Sequence, residues 1–576
     1  MTNNIRIFLW LGLLMALWLN YETWRTDYAP PPGITPAVAG SSAAAAAPVL
    51  GASVPQAAVP APATNSATAA TPVPAAVAPD AIASATVAPA GAVAGVVRVV
   101  TDVLDVDITL QGGELSRADL LKYPRVKGGE QAIRLFDRSK PEEFYALQSG
   151  LAPGPGAAGE FPTHLAVFQS AQTEYRLAPG VSEVRVPLTW VNAEGVQVSK
   201  VFVFRAGEYR VDLEYDITNK SSGVWNAASY AQILRDDLQI ETSMFNVESY
   251  AHKGPAYFDG KKYSKLKIAD EDDSTLSKDL QGGWIAGMQH HFVTAVVPNA
   301  KSSYHYGLKV SGRQYLMSVV GPVVSVASGD TAKLTEALFM GPKLQGQLAS
   351  TGPELDRVTD YGWLTLLSRP LFQGIQWVHG VVGNWGWAII IVTFLLKLAF
   401  YPLSEAAGRS MAKMRVLGPR MKNLQETYKD DREKLGRAMM ELYQKEKINP
   451  LAGCLPMLIQ MPVFLAFYWV LLESVEMRQA PWLGWIQDLS DKDPFFVLPV
   501  INAFAMFGQF KLNPAPPDPM QAKIFAFMPF VVSFTFIFFP SGLVLYWVTS
   551  TLLSILQQWN INRRIGEPGK PKAANA

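Results

Sequence analysis

The chain has 576 residues, of which 49% are hydrophobic, and it contains 15 Trp and 28 Phe. This length exceeds one ordinary domain and the apolar content is high for a soluble protein, so the composition predicts a membrane protein with a soluble part attached. The formal net charge of +1 gives no overall attraction to nucleic acid, and we expect no specific nucleic-acid partner. A single cysteine, Cys454, excludes a disulfide framework within the chain, so an extracytoplasmic domain must be stabilised by its core.

The N-terminal part of the chain is an apolar run followed by a segment of low complexity. Residues 7–19 are apolar and follow Arg6, with no small-x-small cleavage site and no lipobox cysteine after them. Residues 1–24 are therefore predicted to be an uncleaved signal anchor with a cytoplasmic N-terminus. Residues 25–97 are rich in Ala and Pro and, after the first three, carry only one charge, Asp80. Such a segment has too few large apolar side chains to fold, and we predict a disordered periplasmic linker.

Strand patterns recur through residues 98–352 and predict a large antiparallel β-sandwich. The clearest pair is residues 196–204 and 209–218, which are separated by a short turn and predict a hairpin. Further strand-like runs lie at residues 284–297 and 315–327. One face of the predicted hairpin is apolar, and its second strand contributes Val211, Leu213, Tyr215 and Ile217 to that face.

The predicted β-domain carries two adjacent histidines, His290 and His291. In a strand they would point to opposite faces of the sheet, so they could not bind one metal ion together. No Walker loop, HExxH or GxSxG signature occurs along the domain. We therefore expect no metal, no cofactor and no catalytic residue, and favour a binding or spacing role over an enzymatic one.

Five further apolar segments follow the β-domain, and the charges between them predict their orientation. Residues 402–450 carry eleven basic residues, whereas residues 473–494 carry two basic residues against five acidic ones. Because lysine and arginine mark the cytoplasmic side, the first loop is predicted to be inside and the second outside. The predicted segments are transmembrane helices at residues 383–403, 451–473, 495–511, 523–540 and 541–560, a cytoplasmic helical hairpin at 404–450, a periplasmic loop at 474–494, a cytoplasmic loop at 512–522 and a cytoplasmic tail at 561–576.

Residues 353–382 precede the first of these five segments and show apolar residues at helical spacing. The pattern predicts an amphipathic helix on the outer membrane surface, anchored by Trp363 and Trp377. A packed helix of the soluble domain is the alternative.

The predicted cytoplasmic hairpin contains two helices joined by a turn at Asp430 and Asp431, and Gly418 with Pro419 should break its first helix. Its methionines suit varied apolar partners because the thioether side chain is flexible, although packing between the two helices explains them as well. These methionines are Met411, Met414, Met421, Met439 and Met440.

Lys397 is a cation within an otherwise apolar stretch, residues 387–401. A lysine costs at least about 2.5 kcal/mol at the centre of a membrane-spanning helix, so it commonly faces a water-filled cavity or the interior of a helix bundle. The alternative is that its side chain snorkels to the headgroups, because Pro402 places a helix end nearby.

A few polar residues in the apolar segments either join helices or hydrate a groove around Lys397. Thr393 lies one turn before the lysine, and Gln460, Asn502 and Gln557 lie in later segments. No carboxylate occurs within the apolar runs themselves, which favours a hydrated groove over a dry ion pair.

The C-terminal half contains several long and specific motifs: SMAKM at 410–414, NPLAGCLPMLIQMPVF at 449–464, SVEMRQAPW at 474–482, DPMQ at 518–521 and FPSGLVLYW at 539–547. Over residues 355–565 the chain resembles the YidC/Oxa/Alb family of membrane protein insertases, in its Gram-negative type. The resemblance implies a multi-domain membrane protein with an N-terminal signal-anchor helix, a bundle of five core transmembrane helices and a periplasmic domain of β-supersandwich fold.

This resemblance also implies a function in the inner membrane. Members insert and help fold nascent inner-membrane proteins, alone or with the Sec translocon (SecYEG and SecDF), and release the substrate helix laterally into the lipid. Their cytoplasmic hairpin contributes contacts to the ribosome and to the receptor of the signal-recognition particle. Membrane lipids are the remaining expected partner, and no cofactor is implied.

The implied site is a positively charged groove that is open to the cytoplasm. Lys397 occupies the position of the groove cation, where Gram-negative members often have arginine; lysine keeps the charge but loses the bidentate fork. Thr393, Gln460, Asn502 and Gln557 are the other expected groove residues. The substrate slide of the family corresponds here to Phe464, Phe534, Phe538 and Trp547.

Two functions from other classes compete with this interpretation. A secondary transporter commonly shows inverted repeats, and none is evident in the five apolar segments. A membrane-anchored periplasmic protein that binds or modifies carbohydrate would explain the β-domain but not five further spans.

Overall fold

The computed structural model describes residues 50–51, 53–55, 95–138, 144–157, 159–237, 252–268, 275–428, 431–446, 455–512 and 519–565. The predicted signal anchor and nearly all of the predicted linker lie outside the described residues, as do residues 566–576 of the predicted tail.

The N-terminal part of the described chain consists of β-strands, as the period-two patterns predict. The strands are β1 Val96–Val100, β2 Leu104–Thr109, β3 Glu114–Pro124, β4 Ala132–Phe136, β5 Tyr145–Pro153, β6 Glu174–Arg176, β7 Glu183–Val191, β8 Val196–Arg205, β9 Arg210–Asn219, β10 Trp225–Asp236, β11 Gly254–Phe258, β12 Tyr263–Lys265, β13 Leu276–Gln281, β14 Trp284–Met288, β15 Phe292–Val297, β16 Ser303–Ser311, β17 Gln314–Val326 and β18 Thr331–Pro342.

These strands form two sheets that share one apolar core. The first sheet has the order β13-β16-β17-β10-β5-β3-β2-β1-β6, with β4 paired to β3, and the second has the order β12-β11-β14-β15-β18-β9-β8-β7. Among the described strand pairs, only β1 and β6 run parallel. The prediction of a domain rich in antiparallel β-sheet is confirmed.

The predicted hairpin is formed by β8 and β9, which pair in register from Val196 opposite Asn219 to Phe204 opposite Val211. Its turn needs a left-handed residue, and Gly207 supplies one with φ of 74° at no steric cost. The four predicted core residues of β9 are all buried: Val211, Leu213, Tyr215 and Ile217.

The predicted single strand at residues 284–297 is wrong in one respect, since β14 and β15 are separate strands that pair with each other. His290 and His291 lie in the turn between them, and their rings stack with centroids 3.8 Å apart instead of pointing to opposite faces. The alternation rule fails here because it applies only to extended backbone.

Lys200 on β8 is fully buried between the sheets. Its Nζ donates hydrogen bonds to the carbonyl oxygens of Gly112 (2.8 Å), Gly113 (3.0 Å) and Ser149 (2.8 Å). Phe168 and Phe202 place their ring centroids 5.5 and 5.4 Å from the same nitrogen. A buried charge is tolerated when all its donors are used, and this lysine therefore ties β8 to both neighbouring segments of the opposite sheet.

We expect the substitution Lys200→Met to destabilise the β-domain by about 3 kcal/mol, because three buried carbonyl groups lose their donor. Thermal unfolding of the purified protein, followed by tryptophan fluorescence, measures the effect. Lys309→Met on β16 is the control, since Lys309 is exposed and its loss should change stability by less than about 0.5 kcal/mol. Equal midpoints for the two variants would contradict the structural role of Lys200.

Helices make up the rest of the described chain. They are α1 Gln345–Thr351, α2 Thr365–Val382, α3 Trp385–Ala399, α4 Tyr401–Val416, α5 Gly418–Thr427, α6 Arg432–Lys445, α7 Leu455–Glu473, α8 Val497–Leu512, α9 Pro519–Thr535 and α10 Ser541–Ile565, with short 3-10 turns at Leu355–Val358, Gly362–Leu364, Val475–Met477 and Phe536–Phe538.

The predicted amphipathic helix is shorter than residues 353–382. Leu355 and Val358 lie in a 3-10 turn and are buried in the core of the sheets, so the alternative of packing against the soluble domain holds for this part. The helix itself, α2, buries Phe372 and Ile375 against α3 and α7. Its opposite face is apolar and open, and Trp377 is 71% exposed.

The break predicted at Gly418 and Pro419 separates α4 from α5. Asp431 caps α6 by accepting a hydrogen bond from the backbone N–H of Lys434 (3.0 Å), as predicted. No single described helix is long and apolar enough to cross a bilayer. The pair formed by α3 and Tyr401–Ser410 meets the criteria of length and hydropathy, with a bend of 63° between its two parts.

The β-domain is fixed to the helices at what we call the joint, formed by His290, Lys343, Leu472 and Glu473. His290 Nε2 donates to the carbonyl oxygen of Leu472 (3.0 Å). Lys343 Nζ lies 3.9 Å from a carboxylate oxygen of Glu473, and these two side chains are only 2% and 4% exposed. Burial lowers the pKa of Lys343 to about 8 and that of His290 to about 3, so the imidazole is neutral at the joint.

A second contact joins the turn between β3 and β4 to the segment after α7. Arg478 Nη2 and Gln479 Nε2 both donate to the carbonyl oxygen of Pro124, at 3.0 Å each. Lys127 Nζ donates in the other direction, to the carbonyl oxygen of Gln479 (3.1 Å). The β-domain is therefore attached at two separate places.

A polar cavity around Lys397

Three helices converge on Lys397, which is half-buried near the end of α3. Its Nζ donates to Ser554 Oγ of α10 (2.7 Å) and to Gln460 Oε1 of α7 (3.3 Å). Gln460 Nε2 in turn donates to Ser550 Oγ (2.5 Å). The ammonium group thus points into the helices, where hydroxyl and amide groups hold it.

These residues border a partly open cavity of about 40 Å³, which has room for about three water molecules. Thr393, Ser404 and Tyr546 contribute polar atoms to its wall, and Leu396 and Phe400 are among its apolar residues. None of the described residues that line the cavity carries a carboxylate. The charge of Lys397 is therefore solvated by neutral groups and left uncompensated.

The other predicted groove residues divide into two groups. Thr393 and Gln460 line the cavity with Lys397, and Thr393 Oγ1 donates to the carbonyl oxygen of Ile389 on its own helix (2.6 Å). Asn502 and Gln557 are not brought into the cavity and make contacts elsewhere.

Asn502 and Gln557 act as links between helices. Asn502 is buried on α8 and its Nδ2 donates to Ser533 Oγ of α9 (3.0 Å). Gln557 Nε2 of α10 donates to the carbonyl oxygen of Tyr401 on α4 (3.5 Å). They match the alternative in which polar groups join neighbouring helices.

Ser550 and Ser554 are not among the predicted groove residues, although both contact the central lysine or its partner. Serine is common in helices and carries no charge, so the residue type alone does not indicate a position in the groove. The spacing does, because Tyr546, Ser550 and Ser554 recur every four residues and so share one face of α10.

The aromatic residues predicted as a substrate slide lie in two layers. Phe464 contacts Trp547 edge-to-face, with ring centroids 4.7 Å apart, and both are partly buried in the helical cluster. Phe534 and Phe538 form an outer pair 6.0 Å apart and are 63% and 41% exposed.

Most of the predicted methionines of the hairpin pack between its helices. Met421 is buried with Leu417, and Met414 and Met439 lie against them. Met440 is half-buried outside this cluster, and Met411 lies on α4. Packing within the hairpin therefore accounts for three of the five methionines.

An antiparallel β-domain joined to strongly apolar helices that enclose a lysine is the architecture of a membrane protein with a large extracytoplasmic domain. Two family models match the chain and together cover nearly all of the described part. The model described as "YidC periplasmic domain" matches residues 96–374, and "60Kd inner membrane protein" matches residues 377–568.

Similar proteins extend over the whole chain. "Membrane protein insertase YidC" of Thioalkalivibrio sulfidiphilus is 44% identical and covers 99% of this chain and 100% of its own length. The protein of the same name from Nitrosococcus oceani is 41% identical, with coverages of 98% and 100%. The chain belongs to the YidC family of membrane protein insertases.

Solved structures give more distant similarities. A crystal structure of an active YidC insertase with its first transmembrane domain resolved matches 80% of this chain and 92% of its own, with 19% identity and a TM-score of 0.36. A galactose mutarotase related enzyme from Lactobacillus acidophilus matches 42% of this chain and 97% of its own, with 9% identity and a TM-score of 0.30.

Family membership decides between the functions that the sequence left open. The relatives are insertases of the inner membrane with a periplasmic domain, and they are not enzymes. The prediction that this chain is not an enzyme is confirmed, and the transporter and carbohydrate-active alternatives are wrong.

Proposed function

We propose that this protein inserts nascent inner-membrane proteins by receiving a polar substrate segment at Lys397. The observation that carries the proposal is the uncompensated charge of Lys397, whose described partners, Ser554 and Gln460, are neutral. An acidic group 4 Å from this ammonium would gain about 4 kcal/mol at an effective dielectric constant of about 20. Exchanging Ser554 and Gln460 for an acidic group of the substrate is favourable because a charged partner of Lys397 replaces neutral ones.

The cavity of about 40 Å³ holds a few waters but not a peptide. A substrate segment would therefore lie at the open side of the cavity, within reach of Lys397. Two hydrogen bonds join Lys397 to the neutral side chains of Ser554 and Gln460, and each contributes about 1.5–3 kcal/mol net because the donor is charged. An incoming polar segment can replace them one by one.

The apolar part of the substrate would then leave along the aromatic residues. Phe534 and Phe538 form the exposed outer layer, and Phe464 with Trp547 forms the wall behind it. Thr393 remains part of the polar cavity in this scheme, and the contacts of Asn502 and Gln557 keep neighbouring helices together.

The proposed membrane topology of the chain follows the distribution of its basic residues. Both termini and the hairpin at residues 404–450 are cytoplasmic, residues 98–352 and 474–494 are periplasmic, and six helices span the inner membrane. The hairpin would meet the ribosome and the receptor of the signal-recognition particle, with Met440 on its surface side. Cooperation with SecYEG and SecDF belongs to the same proposal.

Site-specific photocrosslinking to a translocating substrate tests the proposal. A photoreactive amino acid at Leu403, which lines the cavity, is expected to crosslink the acidic N-terminal segment of a small single-span substrate arrested during insertion. The control is Leu398, which is 58% exposed one position after Lys397. Equal crosslinking of that segment at both positions, or none at Leu403, would rule out the cavity as the receiving site.

A further inference from the structure

A second depression, which we call the α2–α3 groove, lies beside the polar cavity and has opposite chemistry. Its volume is about 410 Å³, within the range of small-molecule sites, roughly 300–1,000 Å³. It runs between α2, from Leu366 to Val378, and the second half of α3, from Val392 to Phe400. Val463 of α7 completes its wall.

Among the described residues that line the α2–α3 groove, Trp377 alone has a polar side-chain atom, its indole N–H, and none carries a charge or an acceptor. Its floor is buried, with Val378 4% and Val392 7% exposed, while its rim is open, with Leu366 86% and Trp377 71% exposed. A rim of this kind is stable only against hydrocarbon, because water would face a large unbroken apolar surface. The protein belongs to an inner-membrane family, and we infer that the open rim of the groove faces the lipid.

We propose that the α2–α3 groove binds one acyl chain of a phospholipid from the surrounding bilayer. An acyl chain has no hydrogen-bonding groups to satisfy. A peptide in the same place would bring several backbone N–H and C=O groups, and the lining offers them one side-chain donor, the indole of Trp377, and no acceptor.

The size of the groove agrees with a single chain. Its volume of about 410 Å³ is roughly ten times the 40 Å³ of the polar cavity, so it has room for a chain of many methylene groups. Along α2, the twelve residues from Leu366 to Trp377 extend over about 16 Å at a rise of 1.5 Å per residue.

The groove and the polar cavity share part of their walls. Leu396, Phe400 and Val463 line both, so a bound chain would be separated from Lys397 by one layer of side chains. The lipid therefore supports the apolar side of that layer while the polar cavity opens on the other.

Two glycines of α2 provide a matched test. A Cβ added at Gly374 or at Gly380 meets no atom within 4 Å, so leucine fits at either position, but only Gly374 lines the groove. In nanodiscs containing a phospholipid with a diazirine near the middle of one acyl chain, the full-length protein should crosslink at Val378 and Val392, which bulk lipid does not reach.

Gly374→Leu is expected to reduce crosslinking at Val378 and Val392 by about tenfold, since the leucine side chain occupies room that methylene groups of the acyl chain would otherwise fill. Gly380→Leu should leave it unchanged, and crosslinking at the exposed Phe504 on α8 should be equal in all three proteins. Equal reduction in both variants, or a lack of crosslinks at Val378 and Val392 in the unaltered protein, would overturn the proposal.

With a photoreactive amino acid placed at Val378 or Val392 instead, crosslinks to an inserting substrate and none to lipid would also overturn it. If Gly374→Leu fails to fold, the unaltered protein still decides the question, because crosslinks at the two buried valines require a chain inside the groove. The result does not depend on Lys397, so the proposed insertion mechanism can fail while this inference stands.

Discussion

Replacing Lys397 with glutamate is expected to abolish insertion of a small single-span substrate with an acidic N-terminal segment. The substitution reverses the charge at the point where three helices meet. An attraction of about 4 kcal/mol at 4 Å, for an effective dielectric constant of about 20, becomes a repulsion of similar size. Insertion should therefore fall to the level of a strain that lacks the protein.

The experiment uses a strain depleted of its own insertase and complemented with variants of this chain. Lys397→Arg should insert at nearly the unaltered level because the charge is kept, and Lys397→Ala should be intermediate. Lys523→Glu is the control with the same change of charge, since Lys523 is exposed on α9. Each variant must accumulate in the membrane to equal amounts. Normal insertion by Lys397→Glu would disprove the charged-cavity mechanism for that substrate.

Breaking the buried pair at the joint is expected to cost about 3 kcal/mol of stability, because removal of one partner leaves the other charge uncompensated. Lys343→Met and Glu473→Leu each do this. The double variant should lose less than the sum of the two, since neither charge then remains buried. Thermal unfolding of the full-length protein measures stability, and protease sensitivity between β18 and α2 reports release of the β-domain.

An exposed pair supplies the control for the joint. Arg357 and Glu354 are 2.5 Å apart but each is 44% exposed, so Arg357→Met should cost less than about 1 kcal/mol.

The pH dependence of the Glu473→Leu variant has a predictable sign. Burial lowers the pKa of Lys343 to about 8, and loss of Glu473 lowers it further, so the folded Glu473→Leu variant sheds its proton before the unaltered protein does. Its destabilisation should be smaller at pH 9 than at pH 6; a cost that grows with pH would contradict the assignment.

The period-two pattern was sufficient to predict the antiparallel β-domain and its β8–β9 hairpin, because strand alternation and a short turn are local properties. The same is true of the helix break at Gly418 and of the cap at Asp431. The turn that holds His290 and His291 was missed although three consecutive polar residues, Gln289 to His291, interrupt the apolar run there. The turn depends on β14 and β15 pairing with each other.

Contacts between helices were harder to predict. Lys397 and Thr393 lie one turn apart on one helix, so their proximity follows from the sequence alone. Ser554 lies 157 positions from Lys397, and a hydroxyl group carries no pattern that indicates which helix it will face. Asn502 illustrates the same limit, since its polarity predicts a partner but not that the partner is Ser533 of α9.

The helix α7 carries residues of both the joint and the polar cavity. Glu473 lies at its outer end in the joint and Gln460 lies in the cavity, with Pro462 between them inside the helix. Proline removes one backbone hydrogen bond and favours bending at its position, and the twelve residues from Pro462 to Glu473 extend over about 16 Å. One helix therefore carries both the attachment of the β-domain and a direct partner of Lys397, so a displacement of the joint would move the helix that borders the cavity.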